Sequence, residues 1–375
     1  MTPQTEAELA EMIASATGPL RVHGGGTRPI GGPVEGAVLE TGGMRGIHLY
    51  EPGALTLVAG AGTPLSEVEA ALDAEGQRLP FEPMDHRALL GTTGTPTVGG
   101  MAAANVSGSR RIQVGACRDF MLGVRFVDGM GRVLKNGGRV MKNVTGYDLV
   151  KLMAGSFGTL GVLSEVSFKV LPKPETSAVI QIGGLSDARA VEAMAAALGS
   201  PFDVTGAAHM PKGQGGVPIT MIRIEGFEKS VTYRAEQLKS RLSIFGEIAV
   251  ETQAEKVAAD WQWLRDVEAF ADQPGDVWRI SVKPSDGPRV GAALQAEQML
   301  YDWGGGLIWA LVAPGRDIRP AMAGIGGHAT LVRADEATRA TIPAFQPEPA
   351  PVAALSRGVR AKFDPRGILN PGLMG

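Results

Sequence analysis

Glycine-rich stretches recur along this chain, and each stands next to a segment with regular strand or helix patterning. The chain has 52 glycines among 375 residues, without a G-X-Y period. Glycine at this density, in a chain with many apolar residues, indicates tight turns and places where the backbone must approach a ligand closely. The sequence therefore predicts an ordered protein whose loops carry a binding site, and disorder does not fit.

Composition excludes several classes of protein. The net charge is -3, with 44% hydrophobic and 20% charged residues, which is typical of a globular protein and indicates no nucleic-acid partner. Cys117 is the only cysteine, so the chain can hold neither an internal disulfide nor a cysteine-ligated iron–sulfur cluster. Residues 1–15 lack the pattern of a signal peptide, and no apolar run is long enough to span a bilayer. We expect a cytoplasmic protein.

Helices and strands alternate around the glycine loops of the first half. Thr5 to Glu8 predicts a capping box that opens a helix, and Leu20-Arg21-Val22 predicts a short strand that runs into a triple glycine. Residues 162–170 alternate as a half-buried strand does, and the prolines of 172–175 end that strand. We therefore expect one domain over residues 1–174, a second over 175–335, and a segment at 336–375 that returns to the first.

The second half predicts the β-α-β-β-α-β order of a ferredoxin-like module. Further strands at 277–282, 306–312 and 329–332 extend this module, and no internal repeat is visible in the sequence. The predicted module comprises strands at 178–182, 219–224 and 247–250, a further strand between the first helix and residue 219, and helices at 187–198 and 229–242.

The first glycine loop directly follows a predicted strand. Gly24, Gly25 and Gly26 would expose consecutive backbone N–H groups as a concave nest for phosphate oxygens, and Thr27 adds a hydroxyl donor. A plain tight turn explains the same glycines when the loop is considered alone, because glycine runs are common in turns. The loop by itself leaves both interpretations open.

Three later stretches favour the phosphate interpretation. Residues 94–108 show neither helix nor strand patterning and consist of small residues with threonine, asparagine and serine donors between them. Such composition suits a backbone that lies against a flat, polyfunctional cofactor, and an ordinary surface turn would not need it. Residues 142–149 and 155–162 are two further stretches of this kind.

Together these stretches resemble the FAD domain of the vanillyl-alcohol oxidase superfamily, which has the PCMH-type fold. The resemblance covers about the first 170 residues, and residues 363–372 match the closing motif of the family, although Leu373 stands where lysine is usual. It implies an α+β protein with a two-part PCMH-type FAD-binding domain and a smaller ferredoxin-like α+β cap domain. It also implies non-covalent FAD, because His23 precedes the glycines, whereas the covalent pattern has histidine two or three positions later. The implied FAD-binding residues are His23, Gly24, Gly25, Gly26, Thr27, Pro83, Thr97, Val98, Gly99, Gly100, Ala103, Asn105, Ser107, Gly108, Gly158, Gly161, Val162 and Asn370.

The second half resembles the FAD-binding E subunits of bacterial glycolate oxidases, through residues 278–286, 302–309 and 326–330. This resemblance implies that the chain works with other subunits, namely a second FAD subunit and an iron–sulfur subunit. It also implies a small 2-hydroxy acid substrate, and peripheral membrane association through the complex.

Oxidation of a 2-hydroxy acid requires a site for the carboxylate and a base for the hydroxyl proton. Arg279 is the best candidate for the carboxylate because a guanidinium offers a bidentate fork, and His328 is the best candidate base because histidine titrates near neutral pH. A structural salt bridge for Arg279 and a loop or core hydrogen bond for His328 remain equally open.

One departure weighs against catalysis in this chain. Catalytic 2-hydroxy-acid dehydrogenases of the superfamily generally carry a G-D-G-N-x-H metal motif in the cap, which this sequence lacks, and its five histidines have no ligand spacing. We therefore expect no metal. Two hypotheses stay open: a redox subunit that oxidises glycolate or relays electrons, and a non-catalytic scaffold for assembly. A nucleotide-sugar reductase is a weaker third possibility.

Overall fold

The computed structural model describes residues 1–139, 146–213 and 215–375. Of the predicted glycine stretches, the part at 142–145 lies outside the described residues. The first helix begins as predicted, because the Thr5 hydroxyl accepts a hydrogen bond from the Glu8 amide and the Glu8 carboxylate accepts one from the Gln4 amide at 2.7 Å.

Helices and strands are numbered in chain order within these residues. The helices are α1 (Glu6–Ser15), α2 (Leu65–Ala74), α3 (Arg87–Leu90), α4 (Val98–Ala103), α5 (Arg111–Val114), α6 (Cys117–Phe120), α7 (Leu149–Met153), α8 (Asp187–Leu198), α9 (Glu228–Leu242), α10 (Ala254–Arg265), α11 (Gly287–Leu294), α12 (Glu336–Thr341) and α13 (Ala350–Phe363). The strands are β1 (Leu20–His23), β2 (Ala37–Glu40), β3 (Ile47–Glu51), β4 (Thr56–Gly60), β5 (Gln77–Arg78), β6 (Met121–Val127), β7 (Val133–Gly137), β8 (Val162–Lys169), β9 (Leu171–Pro172), β10 (Thr176–Gly183), β11 (Val204–Met210), β12 (Ile219–Gly226), β13 (Ile248–Glu251), β14 (Asp276–Val282), β15 (Gln298–Asp302), β16 (Leu307–Val312) and β17 (Gly327–Arg333).

The amino-terminal part contains a five-stranded sheet in the order β3-β4-β8-β6-β7. Its neighbouring strands are antiparallel. A separate parallel pair, β1-β2, positions the first glycine loop at the end of β1. Strands β6 and β7 form a hairpin, and the strand predicted at residues 162–170 is present as β8. The stretch at 91–108 is not all loop as the composition suggested, because Thr97 caps the short helix α4.

The second half forms one eight-stranded antiparallel sheet, in the order β13-β10-β12-β11-β15-β16-β14-β17. The first four strands and helices α8 and α9 form the predicted ferredoxin-like module. The last four strands have the same order in reverse: counted by chain position within each half, the order is 4-1-3-2 in the first half and 2-3-1-4 in the second. Helix α11 lies between β14 and β15. The two halves join where β11 pairs with β15. The sequence shows no repeat, yet the strand order of the sheet does.

The eight-stranded sheet is buried on both faces. Along β16, Ile308 and Ala310 pack into a core with α11, while Trp309 and Leu311 join the core that contains Phe168 of the five-stranded sheet. Successive side chains of a strand point to opposite faces, so a strand buried on both sides is apolar throughout. The amino-terminal part and the cap therefore share a continuous core.

The carboxy-terminal segment lies against β1. Leu369 forms a parallel bridge with Leu20, and Ile368 and Leu369 pack in one core with α1 and β2. The polypeptide passes from the five-stranded sheet to the eight-stranded sheet between residues 169 and 176, around the boundary that we propose at residue 174. Among the helices that the structure describes, none is long and apolar enough to cross a membrane.

Candidate cofactor and substrate site

A cleft of about 750 Å³ lies between the first glycine loop, helix α4 and the carboxy-terminal segment. The loop carries its own donors into this cleft. No described residue accepts a hydrogen bond from the amide N–H groups of Gly24, Gly25, Gly26 or Thr27. Consecutive free amides that line a cleft form an anion nest, so the loop suits a pyrophosphate.

Helix α4 forms the opposite wall, and its amides are already engaged within the protein. The Gly99 amide donates to the Ala61 carbonyl at 2.7 Å, and the Gly100 amide donates to the Thr97 hydroxyl at 3.2 Å. A Cβ on Gly25 would collide with the carbonyl oxygen of Thr95. The two glycine stretches therefore touch through their backbones, and this contact requires glycine.

Asn370 holds the third wall in place. Its Oδ1 accepts from the Val22 amide at 2.7 Å, and its Nδ2 donates to the Phe157 carbonyl at 2.8 Å. These bonds tie the end of β1 to the loop that precedes Gly158, which has a φ of +73°. The buried Asn370 amide thus positions two walls of the cleft.

The structure brings most of the predicted FAD-binding residues to this cleft and leaves five away from it. Those that line it are His23, Gly24, Gly25, Gly26, Thr27, Thr97, Gly99, Gly100, Ala103, Gly158, Gly161, Val162 and Asn370. Those that do not are Pro83, Val98, Asn105, Ser107 and Gly108.

The residues away from the cleft have other contacts. Pro83 and Val98 are buried, and the Ser107 hydroxyl accepts from the Cys117 amide at 2.9 Å. The Asn105 side chain accepts from the Arg118 amide at 3.0 Å. The Gly108 carbonyl faces the cap and accepts from the Trp303 indole at 3.1 Å.

Arg28 is a site residue that the sequence patterns did not single out. It lines the cleft next to the glycine loop, and no described carboxylate lies within 4.0 Å of it. Burial lowers its pKa to about 10, against the opposing effect of Cys117 and Asp85. Its position directly after the glycine loop is the one signal that could have identified it.

His86 links the cleft to the cap. Burial first, and then the positive charge of Arg28, lower its pKa to about 3, with a smaller contribution from Arg279. Arg28 lines the cleft and Arg279 belongs to β14 of the cap, so one cation from each part acts on this buried ring. His86 itself remains neutral at physiological pH.

Arg279 and His328 lie on neighbouring strands of the cap. Arg279 pairs with Thr330, and Ser281 pairs with His328, so the two candidates are diagonal neighbours on one sheet face. Desolvation, followed by Arg279 and Arg111, lowers the pKa of His328, so this imidazole is neutral at pH 7 and can accept a proton. Burial and then Arg111 lower the pKa of Arg279 to about 10, against Asp302. Arg279 therefore stays charged.

A second polar cluster joins the amino-terminal part to the cap. The Glu82 carboxylate accepts hydrogen bonds from both terminal nitrogens of Arg223, at 2.9 and 2.8 Å, and from one terminal nitrogen of Arg110 at 2.8 Å. Glu225 accepts from Arg110 at 2.8 Å and from Arg78 at 3.1 Å. We call these five residues the paired cluster, because every guanidinium in it contacts a carboxylate.

No group of three or more histidine, cysteine, aspartate or glutamate side chains suited to a metal ion occurs in the part of the chain that the structure describes. The donor set around the cleft consists of amides, hydroxyls and guanidinium groups. This chemistry suits the phosphates and polar edges of a dinucleotide.

The fold and the cleft define a PCMH-type flavoprotein. Residues 1–137 match the family model of the FAD binding domain. The structure of an alkyldihydroxyacetonephosphate synthase is similar over 99% of this chain and 75% of that chain, with a TM-score of 0.72 and 18% identity. The predicted fold class and FAD as the cofactor are confirmed.

A similarity over nearly the full length gives the family. Glycolate oxidase subunit GlcE of Escherichia coli (strain K12) is 37% identical to this chain, over 99% of the length of this chain and 97% of the length of GlcE. The chain belongs to the family of this subunit, as the sequence resemblance indicated. Glycolate oxidase subunit GlcD of Bacillus subtilis (strain 168) is 33% identical over 47% of this chain and 37% of its own length. D-lactate dehydrogenase of Archaeoglobus fulgidus is 33% identical over 48% of this chain and 40% of its own length.

Proposed function

We propose that this chain is the FAD-carrying subunit of a glycolate oxidase complex and that it oxidises glycolate to glyoxylate or relays electrons from a partner flavoprotein subunit. The observation that supports this proposal is the row of four free amides at Gly24 to Thr27 in the cleft. The nest for pyrophosphate lines the cleft, and the candidate carboxylate site at Arg279 lies in the cap, outside the residues that line the cleft. These are the two binding functions that such a reaction needs.

The residues present suit bound FAD, which would supply the acceptor for a hydride from the substrate. The glycine loop would hold the pyrophosphate through its amides, and Thr97 and Asn370 keep the walls around the cofactor in register. Arg279 would bind the substrate carboxylate. A ring nitrogen of neutral His328 would accept the hydroxyl proton, since the positive charges around it disfavour an already protonated imidazole.

The binding of FAD is proposed to be non-covalent. His23 lines the cleft before the glycines, and we propose that it contacts the cofactor without a bond. The partners proposed, as the resemblance to glycolate oxidase subunits implies, are a second FAD subunit and an iron–sulfur subunit; with Cys117 as its only cysteine, this chain cannot itself ligate such a cluster. We further propose a cytoplasmic location, with membrane association only through these partners.

The visible absorption spectrum of the purified chain tests FAD binding. A flavin spectrum, with FAD released into the supernatant by acid precipitation, is expected. Colour that stays with the precipitate would contradict non-covalent binding. Bleaching of the flavin by glycolate without oxygen is the expected sign of catalysis.

A matched pair of glycine variants tests the cradle itself, that is, the glycine loop at residues 24–27 and the stretch at residues 94–100 that packs against it. Gly25→Ala places a methyl group against the Thr95 carbonyl, whereas Gly42→Ala, near the same cleft, meets nothing within 4 Å. We expect Gly25→Ala to retain less than a tenth of the FAD, and Gly42→Ala to retain the parent amount. Equal retention by both variants would contradict the proposed cradle.

The scaffold hypothesis remains the second candidate. It is favoured by the absence of a metal-binding group among the described residues, because the related catalytic motif includes metal ligands. Under this hypothesis the chain binds FAD, but glycolate bleaches only the flavin of the partner subunit. Bleaching of the isolated, FAD-loaded chain would exclude it.

A further inference from the structure

Two guanidinium groups contact the same tryptophan ring where the amino-terminal part meets the cap. The guanidinium carbon of Arg111 lies 4.6 Å from the ring centre of Trp303, and that of Arg279 lies 5.1 Å from it. Arg111 belongs to α5 and Arg279 to β14, so each part of the protein contributes one cation. We call these three residues the unpaired cluster.

No carboxylate among the described residues forms an ion pair with either arginine of the unpaired cluster. Asp302 is nearby, but its oxygens accept from the Ser109 hydroxyl and from the Trp303 amide. Asp119 accepts from the Ala116 amide. Burial and then Arg111 lower the pKa of Arg279, whereas burial and then Arg118 lower the pKa of Arg111. Two cations that contact one ring and have no ion-pair partner are available to an anionic ligand.

The Trp303 ring cannot move away from the two arginines. Its amide donates to Asp302 Oδ1 at 2.6 Å, and its indole N–H donates to the Gly108 carbonyl at 3.1 Å. Its backbone has a φ of +53°, a conformation that is strained for a bulky residue and that recurs at ligand-binding sites. The tryptophan is therefore a fixed platform for both side chains.

We propose that Arg111 and Arg279, held on Trp303, form one anion site that binds the carboxylate of a small 2-hydroxy acid. The site is shared between the amino-terminal part and the cap, and Arg111 is a substrate-binding residue in addition to Arg279. This inference rests on the proposed function for the identity of the substrate. The occurrence of two unpaired cations on one ring does not depend on it.

The test uses the full FAD-loaded chain and oxalate, a small carboxylate that is not a 2-hydroxy acid. Its binding is measured by calorimetry at constant ionic strength and by the rise that it causes in the thermal unfolding midpoint. A charge-assisted hydrogen bond contributes about 1.5–3 kcal/mol, so Arg111→Gln is expected to weaken binding roughly 10- to 100-fold. Arg111→Lys keeps the charge but loses the bidentate guanidinium, so its oxalate affinity should lie between that of the parent and that of Arg111→Gln.

Arg118→Gln is the matched control, since it removes the same charge from the same region. The Arg118 side chain is 50% exposed and lies near Asp119 rather than on Trp303. The oxalate affinity of Arg118→Gln should stay within twofold of the parent value. Without oxalate, Arg111→Gln should unfold at no lower temperature than the parent, because it relieves a repulsion.

Two results would overturn the inference. Oxalate affinity within twofold of the parent in both Arg111 variants would mean that Arg111 only packs on the tryptophan. An equal loss in Arg118→Gln would mean that only the general positive field matters. The proposed function fails separately: if glycolate does not bleach the flavin while oxalate binds through Arg111, the anion site stands and the oxidation does not.

Discussion

The paired cluster and the unpaired cluster lie at the same junction, between the amino-terminal part and the cap, and differ in how their charges are balanced. In the paired cluster, Glu82 and Glu225 contact all three arginines. In the unpaired cluster, Arg111 and Arg279 contact a tryptophan and no described carboxylate. A charge that finds its partner within the chain supports the fold, whereas one held without a partner is available to a ligand.

The largest effect is expected from Glu82→Gln in the paired cluster. The variant removes one of the two carboxylates that balance three buried arginines, so that Glu225 alone faces them, which should lower the free energy of unfolding by about 3–5 kcal/mol. Urea unfolding of the FAD-loaded chain measures this loss. A loss below about 1 kcal/mol would show that water reaches the cluster.

The same variant should change the acid sensitivity of the protein. Burial by itself would raise the pKa of Glu82, but Arg223 and Arg110 outweigh it and hold that pKa well below 4.5. A lowered folded-state pKa stabilises the protein above about pH 4.3 and loses this contribution as the pH falls further. The parent should therefore lose more stability than Glu82→Gln between pH 5 and roughly pH 2.

Arg279→Gln in the unpaired cluster should show the reverse pattern. Its unfolding free energy should stay within about 1 kcal/mol of the parent value, because no ion pair is broken. Its affinity for oxalate should fall on the order of 100-fold, since a desolvated charged partner of the anion is lost. Calorimetry and urea unfolding of the same preparation give both values. A large loss of stability with unchanged affinity would assign Arg279 to the structure instead.

Asp302→Asn should have a smaller effect of opposite sign on binding. Burial raises the pKa of Asp302 to about 6, although Ser109 and the Trp303 amide lower it. The carboxylate is therefore ionised at pH 7.5, where it partly offsets Arg279. Removing its charge should tighten oxalate binding about three- to tenfold at pH 7.5. The difference from the parent should shrink at pH 5.5, where Asp302 of the parent is largely protonated.

The smallest effect is expected at an exposed pair. Arg45 and Glu67 lie 3.2 Å apart, with side chains that are 60% and 40% exposed. Arg45→Gln should change the free energy of unfolding by less than about 1 kcal/mol and leave oxalate affinity unchanged. A larger loss would show that urea unfolding does not separate paired buried charges from exposed ones.

More of the FAD cradle than of the junction between the amino-terminal part and the cap could be predicted from the sequence. The glycine loop follows a strand whose pattern is local, so both the loop and its free amides could be foreseen. Val98 and Gly108 were expected at the cofactor but lie elsewhere, because composition does not show which way each residue of a stretch faces. Arg111 and Glu82 carried no local signal, since their partners are far away in the sequence.

The cap shows the same limit for the fold. Its first module followed from strand and helix order, but its second half was recognised only as added strands. The strand Gln298–Asp302 was missed, and with it the pairing of β11 with β15 that joins the two halves. Pairing between distant strands depends on tertiary packing, which no local pattern encodes.

The sequence by itself determined the class of protein: its glycine stretches, strand order and closing motif specify an FAD-binding fold with a ferredoxin-like cap. These features are local, because turns, caps and periodicity act over a few residues. Only the tertiary structure decided which charges are paired. Arg110 and Arg111 are adjacent in the chain, yet one is neutralised by Glu82 and Glu225 while the other lies on Trp303. That difference arises because neighbouring side chains point in different directions and meet distant parts of the fold.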